Sequence, residues 1–230
     1  MEIKKDYIPK GRANRPAFKM LPLWITVHDT GNIKTGADAK SHVGYLKGDK
    51  AASLPASWHF TVDDKQIVQH LPLDESAWHA GDGRTGPGNR QSIGIEICMD
   101  VGGDRLKAEA LAAELIAYLI KTERSLHPFP ACMKQHFDWS GKNCPQVIRR
   151  RPNGWKNFIA EVERKRSPVP ATTIIFNGRR ADHLTARLLN GKVEILLSGQ
   201  WVWIGDIVRA IPGATVRWDT PTQTAEVRVP

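Results

Sequence analysis

His28, within Trp24-Ile25-Thr26-Val27-His28-Asp29-Thr30-Gly31-Asn32, and the pair His136 and Cys144, within His136-Phe137-Asp138-Trp139-Ser140-Gly141-Lys142-Asn143-Cys144-Pro145, are residue types that hold a transition metal. Two imidazoles and one thiolate make a three-ligand set for Zn²⁺. Three protein ligands leave the fourth tetrahedral position open, which separates a catalytic zinc from a structural one. A structural site would want a fourth Cys or His, usually in close-spaced pairs, and no such pairing accompanies these three. Hydrolysis is the chemistry this set predicts, with zinc the best-suited ion and cobalt or manganese able to substitute. Each residue also has a plainer reading. A single His on a strand is more often a satisfied or exposed side chain, and a single Cys a small buried hydrophobe.

The elements that would position these residues can be read from period and punctuation. Residues 24–27 read as a short buried strand that delivers His28 at its carboxyl end. Residues 35–46 read as a helix, with Gly48 in the stop position. Residues 58–62 and 66–71 flank the polar turn Asp63-Asp64-Lys65, a hairpin signature. Residues 92–98 alternate: Ile93, Ile95 and Ile97 point one way, Ser92, Gly94, Glu96 and Cys98 the other. Glu96 therefore faces a polar cleft, enters a buried ion pair, or is an ordinary solvent-facing strand residue. The stretch 81–89 is too glycine-rich for regular structure and reads as a cleft-side loop. Residues 104–123 form the longest helical pattern, with Leu111, Leu115, Tyr118 and Leu119 at helical spacing and Asp104 as cap. Trp155, Phe158, Ile159 and Val162 mark another helix, with Pro152 near its start.

These segments resemble the zinc-dependent N-acetylmuramoyl-L-alanine amidases of the amidase type 2 family. The resemblance is carried by Tyr7-Ile8-Pro9-Lys10-Gly11, Asn14-Arg15-Pro16, the His28 segment, Ser57-Trp58-His59-Phe60-Thr61-Val62-Asp63, Ala77-Trp78-His79-Ala80-Gly81-Asp82, Ser92-Ile93-Gly94-Ile95-Glu96-Ile97 and the Cys144 loop. It runs in the family's order over about residues 1–165. The resemblance implies an α/β fold, a central mixed β-sheet flanked by helices, of the kind shared by phage amidases and peptidoglycan recognition proteins. It implies His28, His136 and Cys144 as ligands of Zn²⁺, Glu96 as the catalytic acid–base, and Lys142 as the cation that stabilises the developing oxyanion. His59, Trp78 and His79 fall in segments that line the family's cleft and are expected to contact substrate. Asp29 is the second candidate base, though its place beside His28 suits a supporting or turn role better. Asp138 matches no family base, and His42, His70, His127 and His183 read as structural or surface residues. The implied substrate and partner is peptidoglycan. A recognition protein that binds without cutting is the rival reading; non-catalytic members of the fold lose the cysteine ligand that this chain keeps. An endopeptidase acting within the stem peptide is chemically possible on the same site.

Composition agrees. The chain has 230 residues and a formal net charge of +9, which asks for an anionic partner. Residues 171–230 carry seven basic against five acidic side chains, and residues 1–170 carry 26 against 19. The charge forms no long basic run, and no helix-turn-helix, RNP or finger signature is present, which weakens the nucleic-acid reading; an anionic cell wall or a plain solvated surface suits the charge equally. Cys98, Cys132 and Cys144 are too few and too odd for a disulfide framework. No run approaches membrane-spanning length, and Met1-Glu2-Ile3-Lys4-Lys5-Asp6 lacks the apolar core of a signal peptide. Synthesis in the cytoplasm and release to the wall through a holin-type pore or by lysis is the expectation. The proline pair in Ser167-Pro168-Val169-Pro170 predicts a boundary, with a catalytic domain over 1–166, a linker over 167–171 and a small α+β domain over 172–230. In that last stretch residues 173–176, 192–197, 201–204 and 226–229 read as strands and 205–210 as a helix. Residues 201–210 and 213–219 resemble the copper amine oxidase N-terminal-like stalk domain, which implies an accessory wall-binding, oligomerising or spacer role. No His/Cys cluster there could bind copper. Trp201, Trp203 and Trp218 could stack on sugars or belong to the core.

Overall fold

The computed structural model describes residues 1–166, 173–177, 179–180, 186–189, 192–197, 200–219, 224–228 and 230. The expected linker at 167–171 and His183 lie outside the described residues. The chain forms two compact units, Met1–Arg166 and Ser167–Pro230.

In the first unit the elements run β1 (Ile3–Lys5), β2 (Trp24–Asp29), α1 (Ala39–Lys47), α2 (Asp49–Ala52), β3 (Phe60–Val62), β4 (Ile67–Gln69), α3 (Pro87–Gln91), β5 (Ser92–Ile97), α4 (Arg105–Thr122), β6 (Met133–Gln135), α5 (Phe137–Ser140), α6 (Gln146–Arg149) and α7 (Gly154–Arg166). They build a mixed six-stranded sheet of order β1-β4-β3-β5-β2-β6 flanked by helices, the α/β architecture expected. Only β3 and β4, the two arms of the Asp63 hairpin, pair antiparallel. Asp63 closes that hairpin by accepting from the backbone N–H of Lys65 and Gln66 at 2.7 and 2.8 Å.

The isoleucine face of β5 meets α4. Ile93, Ile95 and Ile97 are buried with Ala108, Ala112, Leu115, Ile116 and Leu119, and with Phe158 and Val162 of α7, in one core. Asp104 caps α4, its carboxylate accepting from Lys107 N at 3.1 Å. Leu111 packs partly against this core, whereas Tyr118, expected on the same face, is exposed. The stretch 81–89 departs from its expected irregularity, since residues 87–89 start α3. Pro87 sets the first turn, and the Asp82 carboxylate accepts from Gly88 N and Asn89 N at 2.6 and 3.2 Å, satisfying N–H groups that a helix start leaves free.

The second unit comprises β7 (Thr173–Phe176), β8 (Arg179–Arg180), β9 (Ala186–Leu189), β10 (Lys192–Leu197), β11 (Gln200–Trp203), α8 (Ile204–Arg209), β12 (Thr215–Asp219) and β13 (Thr224–Arg228). It holds a three-stranded sheet of order β11-β10-β9 and a four-stranded sheet of order β12-β13-β7-β8. Ile174, Val193, Ile195, Ile204, Val208, Ala225 and Val227 are buried together, and Trp203 and Trp218 pack against them rather than standing free. Among the described residues no helix is long and apolar enough to cross a membrane.

Candidate metal centre and active site

Strand register brings the distant residues together. β2 lies between β5 and β6, so His28 pairs with Glu96 on one side. On the other side His136 follows β6 directly and donates its backbone N–H to Val27 O at 3.3 Å. The Cys144 loop folds back over the end of β2, where Asp29 N donates to Cys144 Sγ at 3.3 Å. His28, His136 and Cys144 are buried, and one donor atom from each lies within 4.8 Å of the others.

The tautomers suit a cation. A carbonyl only accepts, so His79 Nε2, at 3.2 Å from Ser92 O, must donate. His79 Nδ1 then accepts from His28 Nε2 at 2.9 Å, which leaves His28 Nδ1 as a bare lone pair. That atom faces His136 Nδ1 at 2.9 Å. The other edge of the His136 ring faces Gly81, its Nε2 standing 3.3 Å from where a Cβ there would lie. The bare His28 Nδ1 thus meets the second imidazole at the point where a cation would take a lone pair from each ring. Burial pushes the pKa of His28 well below the ordinary value, and His79, His136 and Lys142 add to it. Burial also lowers His136 to about 4 and raises the Cys144 thiol to about 12. Neutral imidazoles and a thiol that ionises only beside a positive charge are a donor set that fits zinc.

Glu96 lies at the edge of this set, Oε1 at 3.9 Å from His28 Nδ1 and Oε2 buried without a hydrogen-bond partner. Burial first, and the nearby charge of Asp29 second, raise its pKa to about 8. Asp29, the second candidate base, is committed elsewhere. Its Oδ1 pairs with Arg105, and its Oδ2 accepts from Val147 N at 2.7 Å, pinning the start of α6 and with it the Cys144 loop. Asp138 likewise ties a turn, accepting from Gln135 N at 2.8 Å. Lys142 is exposed on the ligand loop, and its positive field reaches His28, His136, Glu96 and Cys144.

The three residues expected to touch substrate separate. Trp78 is half-buried, donating Nε1 to Ala13 O at 3.2 Å and meeting Phe18 edge-on, with part of its ring open. His59 is fully buried, its Nε2 bonded to Glu75 O at 2.9 Å and its Nδ1 accepting from Gly94 N at 3.0 Å. His79 is buried too, and both its ring nitrogens are used inside the protein, by His28 and Ser92. Both rings turn inward from loop positions, and sequence adjacency to Trp58 and Trp78 could not reveal that. Asn89 and Arg105 were not anticipated at all. Asn89 sits in a glycine-rich stretch with no chemical signature, and Arg105 reads as an ordinary first-turn residue behind a cap.

The N-acetylmuramoyl-L-alanine amidase family (Amidase_2) matches residues 19–147. The chain is 46% identical over 171 residues to N-acetylmuramoyl-L-alanine amidase CwlH of Bacillus subtilis, covering 74% of this chain and 65% of that relative. It is 49% identical over 163 residues to XlyA of the same organism, covering 70% of this chain and 51% of that one. The chain thus spans about half to two thirds of the length of these curated relatives. The solved catalytic domain of XlyA superposes with a TM-score of 0.64 at 48% identity, covering 70% of this chain and 99% of that domain. Matched by the family over more than half of its residues, and sharing the fold of a solved catalytic domain, the chain belongs to the N-acetylmuramoyl-L-alanine amidases of the amidase type 2 family.

Proposed function

We propose that this chain hydrolyses peptidoglycan at the amide joining the lactyl group of N-acetylmuramic acid to L-alanine, using Zn²⁺ held by His28, His136 and Cys144. The observation that carries this reading is the convergence of two imidazole nitrogens and one thiol on a buried point beside a carboxyl with one oxygen unpartnered. In a three-ligand site zinc lowers the pKa of water to about 7 and polarises a carbonyl.

The chain's own residues would do the rest. Glu96 holds its carboxyl where burial brings proton uptake and release near neutrality, so it can take a proton from water and return it to the departing nitrogen. Its unpartnered Oε2 is free for that exchange. Lys142 reaches in from the ligand loop as a cation for the developing oxyanion. The Asp29–Arg105 pair keeps the loop seated, and Trp78 offers an aromatic surface to the saccharide or the stem peptide. Residues 172–230 would serve as an accessory domain that meets the wall or as a spacer, the two roles that the resemblance of residues 201–219 to stalk domains implies.

Chelation should abolish activity on purified wall, and added zinc should restore it. Mass spectrometry of the digest should find new lactyl carboxylates and free L-alanine amines. Full activity in verified metal-free protein would end the zinc reading, and new amines only within the stem would make the enzyme an endopeptidase.

A further inference from the structure

Both imidazoles of the ligand set lean on one short segment. His28 donates Nε2 to His79 Nδ1, and His136 Nε2 lies against Gly81, 3.3 Å from where a Cβ on that residue would stand. Neither residue is held by a sheet ladder. What holds the segment is Asn89, whose side-chain Oδ1 accepts from His79 N and from Ala80 N, both at 2.8 Å. Its Nδ2 donates to Gly83 O at 3.0 Å, and its backbone N–H donates to Asp82 Oδ1 at 3.2 Å. Asn89 is buried. No other side chain in the first unit hydrogen-bonds the backbone N–H of both His79 and Ala80. An acceptor with two lone pairs is needed there, because two adjacent N–H groups buried together must both be satisfied.

From this geometry we infer that Asn89 is the positioning residue of the metal centre, fixing the His79 ring so that His28 presents Nδ1 bare before any metal arrives. The inference rests on the metal reading above but concerns the outer shell that orients the ligands. A ligand held in the right tautomer binds without reorganising, and loss of such outer partners weakens metal affinity by about 10–100-fold.

The test is long-range ¹H–¹⁵N NMR of the histidine rings in the metal-free full chain at pH 8, together with zinc titration of the wild type and two variants. In the wild type His28 and His79 should both carry their proton on Nε2. Asn89→Ala should release His28 into mixed tautomers and weaken zinc binding by about 10–100-fold. His79→Phe should release His28 in the same way, because it removes the ring nitrogen that accepts from His28 Nε2. His59, whose bonds to Gly94 and Glu75 are independent of Asn89, reports folding in the same spectrum. A wild type with His28 protonated on Nδ1 overturns the inference even if the Asn89→Ala chain does not fold. So does an Asn89→Ala chain with wild-type tautomers and affinity, or a His79→Phe chain in which His28 keeps its proton on Nε2. A wild-type chain that takes up no zinc fails the metal reading itself, and the inference falls with it.

Discussion

Glu96 owes its chemistry to a strand that is buried on both faces. A carboxyl at a solvent-facing strand position would be ionised throughout the neutral range; here burial and the Asp29 charge bring its titration to about 8. Glu96→Gln keeps size and hydrogen-bonding capacity but cannot carry a proton. Turnover on soluble muropeptides is expected to fall by about 10²–10⁴, with zinc content unchanged. Loss of zinc would place Glu96 among the ligands, and unchanged turnover would remove it from the mechanism. His70 illustrates a different use of burial. Its Nε2 lies 2.8 Å from Thr61 Oγ1, and burial lowers its pKa to about 3. Because the folded value lies below the ordinary 6.5, the neutral ring's contribution to stability is complete above pH 6.5. It is lost as pH falls towards 3. At about 1.4 kcal/mol per unit, this one group should cost about 2 kcal/mol between pH 7 and pH 5. Urea unfolding of His70→Gln at the two pH values should show a drop smaller by that amount. Equal drops in variant and wild type would show that the ring is protonated in the fold.

At the scale of elements, β5 does two jobs with its two faces. The isoleucines anchor the sheet to α4, and Ser92, Gly94 and Glu96 floor the site. Ser92 O receives His79, and Gly94 leaves room for the ring: a Cβ there would stand 2.8 Å from His79 Cγ. β5 is paired on both sides, so its backbone cannot give way. Gly94→Ala should therefore displace the His79 ring and weaken zinc binding by about 10–100-fold, as removal of an outer-shell partner does. Wild-type affinity in a folded Gly94→Ala chain would mean that the ring has freedom to move. Alternation made both faces of β5 legible beforehand, as the hairpin turn made β3 and β4 and the Asp104 cap made α4. β1 and β6, three residues each, were not legible, because so short a segment carries too little period to stand out from a loop. α3 was hidden for another reason: its capping carboxylate, Asp82, lies five residues before its first residue.

For the whole molecule, every side chain placed in the chemistry lies in Met1–Arg166, which has its own core. A chain ending at Arg166 is expected to fold, bind zinc and cleave soluble muropeptides as the full chain does. On intact wall the full chain should bind more, if the second unit is an accessory domain. A folded, zinc-loaded 1–166 chain that cannot cut soluble fragments would show that the second unit takes part in the chemistry. Wall binding by either chain should weaken with salt, because the excess of basic residues lies mostly in residues 1–170.

Residue type and local period are properties of the sequence alone. They were enough to pick out the three candidate metal ligands, the alternation that sets Glu96 opposite the isoleucines, and the capped helix behind the sheet. Direction is not a local property. Whether His59 and His79 look into the cleft or into the protein depends on which strands lie beside β5 and in what register. Whether Asp29 is free to act depends on Arg105, which is 76 residues away in the chain. The tertiary structure decided these because a buried polar atom takes whatever partner the packing brings to it. For Asn89, Asp29 and His79 those partners lie on other elements.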